Sequence, residues 1–146
     1  MSWLLDRPAD RAEILGLRPE LAAAHARLVD ALWDGPMPAE TLELCRLRMA
    51  QLLAAGVALV ERSPQATLSP DRVAALPRWA NDGAFTDDEK ACLAFTELFV
   101  VAHHDITDEQ AAAVRHAHGE AGLVALTTAL SVWENQHRFD IALGGS

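Results

Sequence analysis

The chain has 146 residues, 51% of them apolar, and a formal net charge of -9. That length suits one domain with a real core, so residues 1–146 are expected to form a single domain. So acidic a chain repels phosphate, which argues against nucleic acid and anionic membrane as partners.

No apolar run approaches the ~20 residues that span a bilayer, and no basic, apolar, small-residue leader pattern stands near Met1. A soluble cytoplasmic protein is therefore the expectation. Cys45 and Cys92 lie far apart inside helical patterns, which is no disulfide framework. The acidity is uneven: between Asn81 and Glu120 nine acids face only Lys90 and Arg115, and four of the six histidines lie in the same stretch.

In chain order, Trp3, Leu4 and Leu5 are expected to anchor an N-terminal arm. A short helix follows Pro8 and ends near Gly16. Pro19 opens a second helix in the favoured first-turn position, running to about Trp33. Gly35, Pro36 and Pro38 mark a tight connection into a central segment, Glu43 to Arg62. Its first half carries Glu43, Arg46 and Arg48 among leucines, and its second half, Met49 to Val60, has only Gln51 as a polar side chain. A helix apolar on every side belongs in a protein interior, and this one is too short to cross a membrane. Gly56 either interrupts it or lets another helix approach closely.

Ser63 to Ser69 reads as a loop, and Ser69-Pro70-Asp71 caps a short helix ending near Leu76. Pro77 to Ala84 is expected to be irregular, with Trp79 plugging the core. Thr86 and Glu89 then form a capping box, hydroxyl and carboxylate each satisfying a free backbone N–H, and start a helix from Asp87 to about Ala102. Thr107 and Gln110 repeat the box for a helix that ends by Gly119. A long helix, Glu120 to about Leu143, stops at Gly144-Gly145. No segment alternates with the period of a strand, so the expected fold is all-α, a compact bundle of about six to seven helices. Met49–Val60, Ala91–Ala102 and Leu123–Trp133 are apolar nearly all round. One small bundle cannot bury three complete circumferences, so a homo-oligomer is expected.

These segments, in this order, resemble the carboxymuconolactone decarboxylase and alkylhydroperoxidase D-like family. Glu43 to Ala50 is similar to its E-L-V-R-L-R-x-A segment. Leu76 to Leu98 is similar to its tryptophan loop followed by a capped F-T-x-x-E-x-A-A-L helix. Ile106 to Leu126 and Trp133 to Leu143 are similar to its last two helices, where an Asn and an Arg recur, here Asn135 and Arg138. The similarity spans roughly Pro19 to Leu143, and it rests on order and spacing more than on any one motif.

Active members carry a glutamate, eleven residues, C-x-x-C, three residues and a histidine. Laid onto this chain, the pattern places the glutamate on Glu43, the two cysteines on Ala55 and Ala58, and the histidine on Arg62. The chemistry implied by the resemblance is a dithiol reducing a peroxide, with glutamate and histidine moving protons. A thiolate must attack and a second thiol must resolve the sulfenic acid, and alanine does neither. Arginine stays charged across the useful pH range, so Arg62 shuttles no proton; it binds a carboxylate or phosphate, or caps a helix end.

The remaining thiols read as small core fillers, with a single-cysteine peroxidase through Cys45 as the alternative. Glu43 and Arg46 read as a helix i, i+3 ion pair, and otherwise, together with Arg48, as an acid–base pocket for a small organic acid that His137 on the last helix could reach. Glu97, set among Phe95, Leu98 and Phe99, is expected to pair with Arg138 or with an arginine of the central segment, since an unpaired buried charge costs several kcal/mol. His103 and His104 are adjacent and His116 and His118 are two apart, so neither pair shares a helix face; no metal site and no cofactor is expected. The four tryptophans read as core and interface anchors.

The combined expectation is a scaffold that has lost its redox dithiol and binds a small organic molecule or acts without redox chemistry. The alternatives are an antioxidant peroxidase using Cys45 on a peroxide, and a decarboxylase-like acid–base enzyme using Glu43. A module binding a basic partner through the acidic 81–120 half is a fourth possibility, resting on charge asymmetry alone.

Overall fold

A computed structural model describes residues 4–143, and every regular element among them is helical. The α-helices are α1 (Arg11–Leu15), α2 (Pro19–Ala31), α3 (Ala39–Leu52), α4 (Gly56–Val60), α5 (Pro70–Ala75), α6 (Asp87–Ala102) and α7 (Asp108–Leu143). Two 3-10 turns, Leu76–Asn81 and His103–Asp105, join them. Trp3 and the Gly144-Gly145 stop lie outside the described residues.

Helices α3, α6 and α7 pack on one another and supply most of the core. From α3 come Leu42, Leu44, Leu47 and Met49, from α6 Cys92, Leu93 and Phe95, and from α7 Val114, Leu126, Leu130 and Trp133, all buried. Local chemistry sets the boundaries. The Thr86 hydroxyl accepts from the Glu89 N–H and the Glu89 carboxylate from the Thr86 N–H, starting α6. Thr107 and Gln110 do the same for α7. An unforeseen third box, Asp10 with Glu13, starts α1.

α7 is two helical stretches that meet at a sharp break at Gly119, φ 76° and ψ 175°. That region of backbone space is essentially reserved for glycine, so 108–118 and 120–143 leave the break in different directions. Three residues on, a Cβ at Gly122 would stand 2.4 Å from the His118 Cβ, so glycine there lets the two turns nest.

The central apolar segment differs from expectation. It is two helices, and the break falls at Ala54, not at Gly56. Ala54 has φ 50°, its N–H donates to the Gln51 carbonyl at 3.3 Å, and the Ala55 N–H reaches the Ala50 carbonyl at 2.9 Å. This is a Schellman termination with alanine in the left-handed position usually held by glycine. Nothing lies within 4 Å of a Cβ built on Gly56, so no helix approaches there. The second half is also at the surface: Val57 is 46% and Val60 76% exposed. Hydrophobicity alone does not specify burial, because much of any protein surface is apolar.

Residues 76–81 form a 3-10 turn where irregular chain was expected, and Trp79 inserts from it to donate its indole N–H to Glu97 Oε1 at 2.7 Å. Arg48 Nε donates to the same oxygen at 2.7 Å, so Glu97 pairs with an arginine of α3 rather than with Arg138, which bonds Glu134 on its own helix. Leu5 is exposed, so it does not anchor the N-terminal arm. Helix α2 buries no residue completely, and Leu21 and Leu28 face outward from it.

Candidate functional site

Glu43 sits one turn into α3 and is 1% exposed. Arg46, one turn further, grips it with two prongs, Nε to Oε2 at 2.9 Å and Nη2 to Oε1 at 2.5 Å. The Ser63 N–H adds a third donor to Oε1 at 3.2 Å. The same guanidinium donates to the carbonyls of Ala58 at 3.2 Å and Glu61 at 2.8 Å. Arg46 therefore ties the carboxylate to the end of α4, where free carbonyls need donors. Arg62 completes that cap, its Nη1 reaching the Leu59 and Glu61 carbonyls at 2.8 Å each. Of the readings open for Arg62, the helix-end cap is the one observed.

Three cavities surround this knot. A cleft of about 540 Å³ is lined by Glu43, Arg62, Leu68 and Val73. A second, of about 430 Å³, lies between α2, the 61–65 segment and the C-terminal half of α7, and Arg46, Arg62, Trp33, Trp133 and His137 line it. The rings of Trp33 and Trp133 meet there at 5.9 Å between centroids, tilted by 45°. A small cavity of about 170 Å³ adjoins it, walled by Leu53, Ala55, Ala58, Ile141 and again His137.

Ala55 and Ala58 thus lie together on one small cavity at the start of α4. Ala55 is the N-cap residue of that helix and its methyl caps nothing. A cysteine there would face the free N–H groups of a helix start, which stabilise a thiolate; a methyl gains nothing from them.

The two real thiols lie elsewhere. Cys45 and Cys92 are free and completely buried in the α3–α6 core, and neither lines any of these cavities. Burial, with Cys92 beside it, pushes the Cys45 thiol far above the usual cysteine range, and Thr96 hydrogen-bonds it. Burial, with Asp88 and Glu89 nearby, pushes Cys92 up to about 12. Both are thiols at any physiological pH.

His137 is buried, 8% exposed, and hydrogen-bonds no group among the described residues. Burial holds its pKa below the usual histidine value. Arg11 and Arg46 push the same way, while Asp140 and Glu134 oppose. Arg46 stands between it and Glu43, lining the His137 cleft and gripping the carboxylate, while Glu43 itself lines the other large cleft. Two contributors escaped the sequence reading. Arg11 Nε donates to Asp140 Oδ1 at 2.8 Å, pinning α1 beside the cleft across 129 residues of chain. The Gln136 amide meets His25 at 3.4 Å, holding α2 against α7. No spacing signal marks pairs so distant in sequence; tryptophans 33 and 133 read from the sequence only as core and interface anchors. His103, His104 and His116 are exposed, and among the described residues no three His, Cys, Asp or Glu side chains converge to hold a metal ion.

No family model matches the sequence, and no curated protein matches it. Solved structures do. A protein of unknown function from Agrobacterium tumefaciens, a candidate antioxidant defence protein AhpD, superimposes with a TM-score of 0.78 at 17% identity, over 91% of this chain and 94% of that one. The debrominase Bmp8, in a cysteine-to-alanine variant complexed with 2,3,4-tribromopyrrole, superimposes with a TM-score of 0.73 at 16% identity, over 90% of this chain and 73% of that one. The expected all-α alkylhydroperoxidase D-like fold is thereby observed.

Proposed function

We propose that, on this alkylhydroperoxidase D-like fold, the chain is a non-redox protein that binds a small organic molecule in the cleft between α2, α4 and the C-terminal half of α7. The observation that carries the reading is the pair of methyl groups, Ala55 and Ala58, at the positions where the resemblance calls for sulfur, with both remaining thiols sealed in the core. Peroxide reduction through Cys45 needs a thiolate in reach of substrate, and Cys45 has neither exposure nor a favourable pKa. Glu43 serves as an anchor: its two oxygens already accept three donors, which leaves it poorly placed to take a proton from substrate. The solved Bmp8 complex supports the binding reading, since that related fold holds an organic ligand with one cysteine replaced by alanine.

Purified protein is expected to consume hydrogen peroxide or an organic hydroperoxide no faster than buffer with reductant. A robust rate that disappears in Cys45→Ser overturns the proposal. Ligand binding itself is checked by a fragment screen read by amide NMR, with shifts expected at residues 58–65 and 133–137. Val57, Val60, Val101, Val124 and Ile141 are large exposed apolar side chains, which supports self-association as part of the same reading. Light-scattering-coupled gel filtration at micromolar concentration is expected to give a mass above one chain, and a purely monomeric peak removes that part.

A further inference from the structure

The larger cleft and the small alanine-lined cavity adjoin, and the residues common to both walls are Ala58 and His137. Around the cleft most polar side chains are already occupied. Arg11 is held by Asp140, Arg46 by Glu43, and Gln136 meets His25. Arg62 is turned onto backbone carbonyls. Asp30 and Glu61 also line the cleft, so with Glu43 and Asp140 behind two of the three arginines there is no excess of positive charge to attract an anion. What the walls offer a ligand is an aromatic surface, Trp33 and Trp133, and one buried polar side chain with no protein partner among the described residues, His137.

We infer that the cleft takes a small uncharged aromatic molecule bearing an N–H or O–H group, which donates to His137 while the ring lies against Trp33 and Trp133. The inference rests on the reading of this cleft as a ligand site and names the class of ligand. A neutral imidazole keeps one nitrogen as an acceptor, and no protein donor among the described residues fills it at His137, so a ligand N–H or O–H is the feature it recognises. The size fits: about 430 Å³ lies within the ~300–1,000 Å³ typical of small-molecule sites. Of the charged groups around the imidazole, Arg11 of α1 and Arg46 of α3 disfavour its cation, Asp140 and Glu134 of its own helix favour it, and Asp30 of α2, Glu61 and Arg62 also line the cleft. Burial outweighs them and keeps the ring neutral near neutral pH. Protonation fills the acceptor, so affinity for a donor ligand is level near neutrality and falls as the pH drops below 6.5, the ordinary value from which His137 is lowered.

Isothermal titration of the intact chain with indole, its near-isostere benzofuran (which lacks the N–H) and 1-naphthoate tests this. Indole is expected to bind about tenfold more tightly than benzofuran, and 1-naphthoate more weakly than indole. His137→Gln keeps an acceptor and is expected to retain the preference while losing its acid sensitivity; His137→Leu is expected to lose both. The wild-type pH profile needs no variant, so a folding defect in either does not blunt the test. Benzofuran binding as tightly as indole, preference for the carboxylate, or a pH-independent indole affinity overturns the inference. If none of the three binds, the inference fails. The broader ligand-site reading fails with it only when the fragment screen also leaves residues 58–65 and 133–137 unshifted.

Discussion

Glu43 and Arg46 stand three residues apart, a spacing that on a helix surface is worth a few tenths of a kcal/mol. Here the pair is buried, and the energetics change character: removing one partner strands the other's charge out of water. Arg46→Ala is expected to destabilise the protein by about 3–5 kcal/mol, whereas replacing both residues by leucine costs much less. Urea unfolding of the single and double variants checks this; equal losses in the two would mean the carboxylate is not the liability. Ala54 makes a smaller demand. A left-handed backbone at an alanine costs roughly 1–2 kcal/mol relative to glycine, partly offset by glycine's freer unfolded chain, so Ala54→Gly is expected to stabilise by about 0.5–1 kcal/mol. A fall in melting temperature on that substitution would contradict the Schellman geometry.

Among the elements, the caps were legible because they are local: Thr86 with Glu89 and Thr107 with Gln110 satisfy their own helix starts whatever the rest of the chain does. The fate of Met49 to Val60 was not legible, because composition reports how apolar a segment is and not which neighbours exist to cover it. The long last helix depends on its break. Gly119→Ala places a Cβ in backbone space that only glycine occupies comfortably, so a loss of about 1–3 kcal/mol is expected, together with altered packing of 108–118 on the core. Unchanged stability would show that 108–118 re-orients freely. Gly122 belongs to the same device, since any larger side chain there meets His118.

For the molecule as a whole, acid is the informative stress. Burial lowers the pKa of His137, and burial with Arg11 lowers that of His25, each from 6.5. The unfolded chain therefore takes up protons before the folded one does. Stability from these groups is fully present above about pH 6.5 and is lost as pH falls below that value through the folded pKa values. Melting temperature is expected to decline over that window, and the decline should be shallower in His137→Gln; a slope unchanged in the variant would mean His137 is not the titrating group. Among the described residues no helix is long and apolar enough to cross a membrane, in keeping with the helix lengths read from the chain.

The sequence by itself determined the helical class, the capped starts at Ser69, Thr86 and Thr107, the break at Gly119 and the absence of sulfur at residues 55 and 58. All of these follow from covalent chemistry or from interactions within a few residues. Tertiary structure alone decided the partners of Glu97 and Arg11, the burial of both thiols, the exposure of α4, and the assembly of Trp33, Trp133 and His137 around one cleft. Those depend on contacts between segments up to 129 residues apart, and free energies of that kind are set by which surfaces the folded chain brings together rather than by any pattern along it.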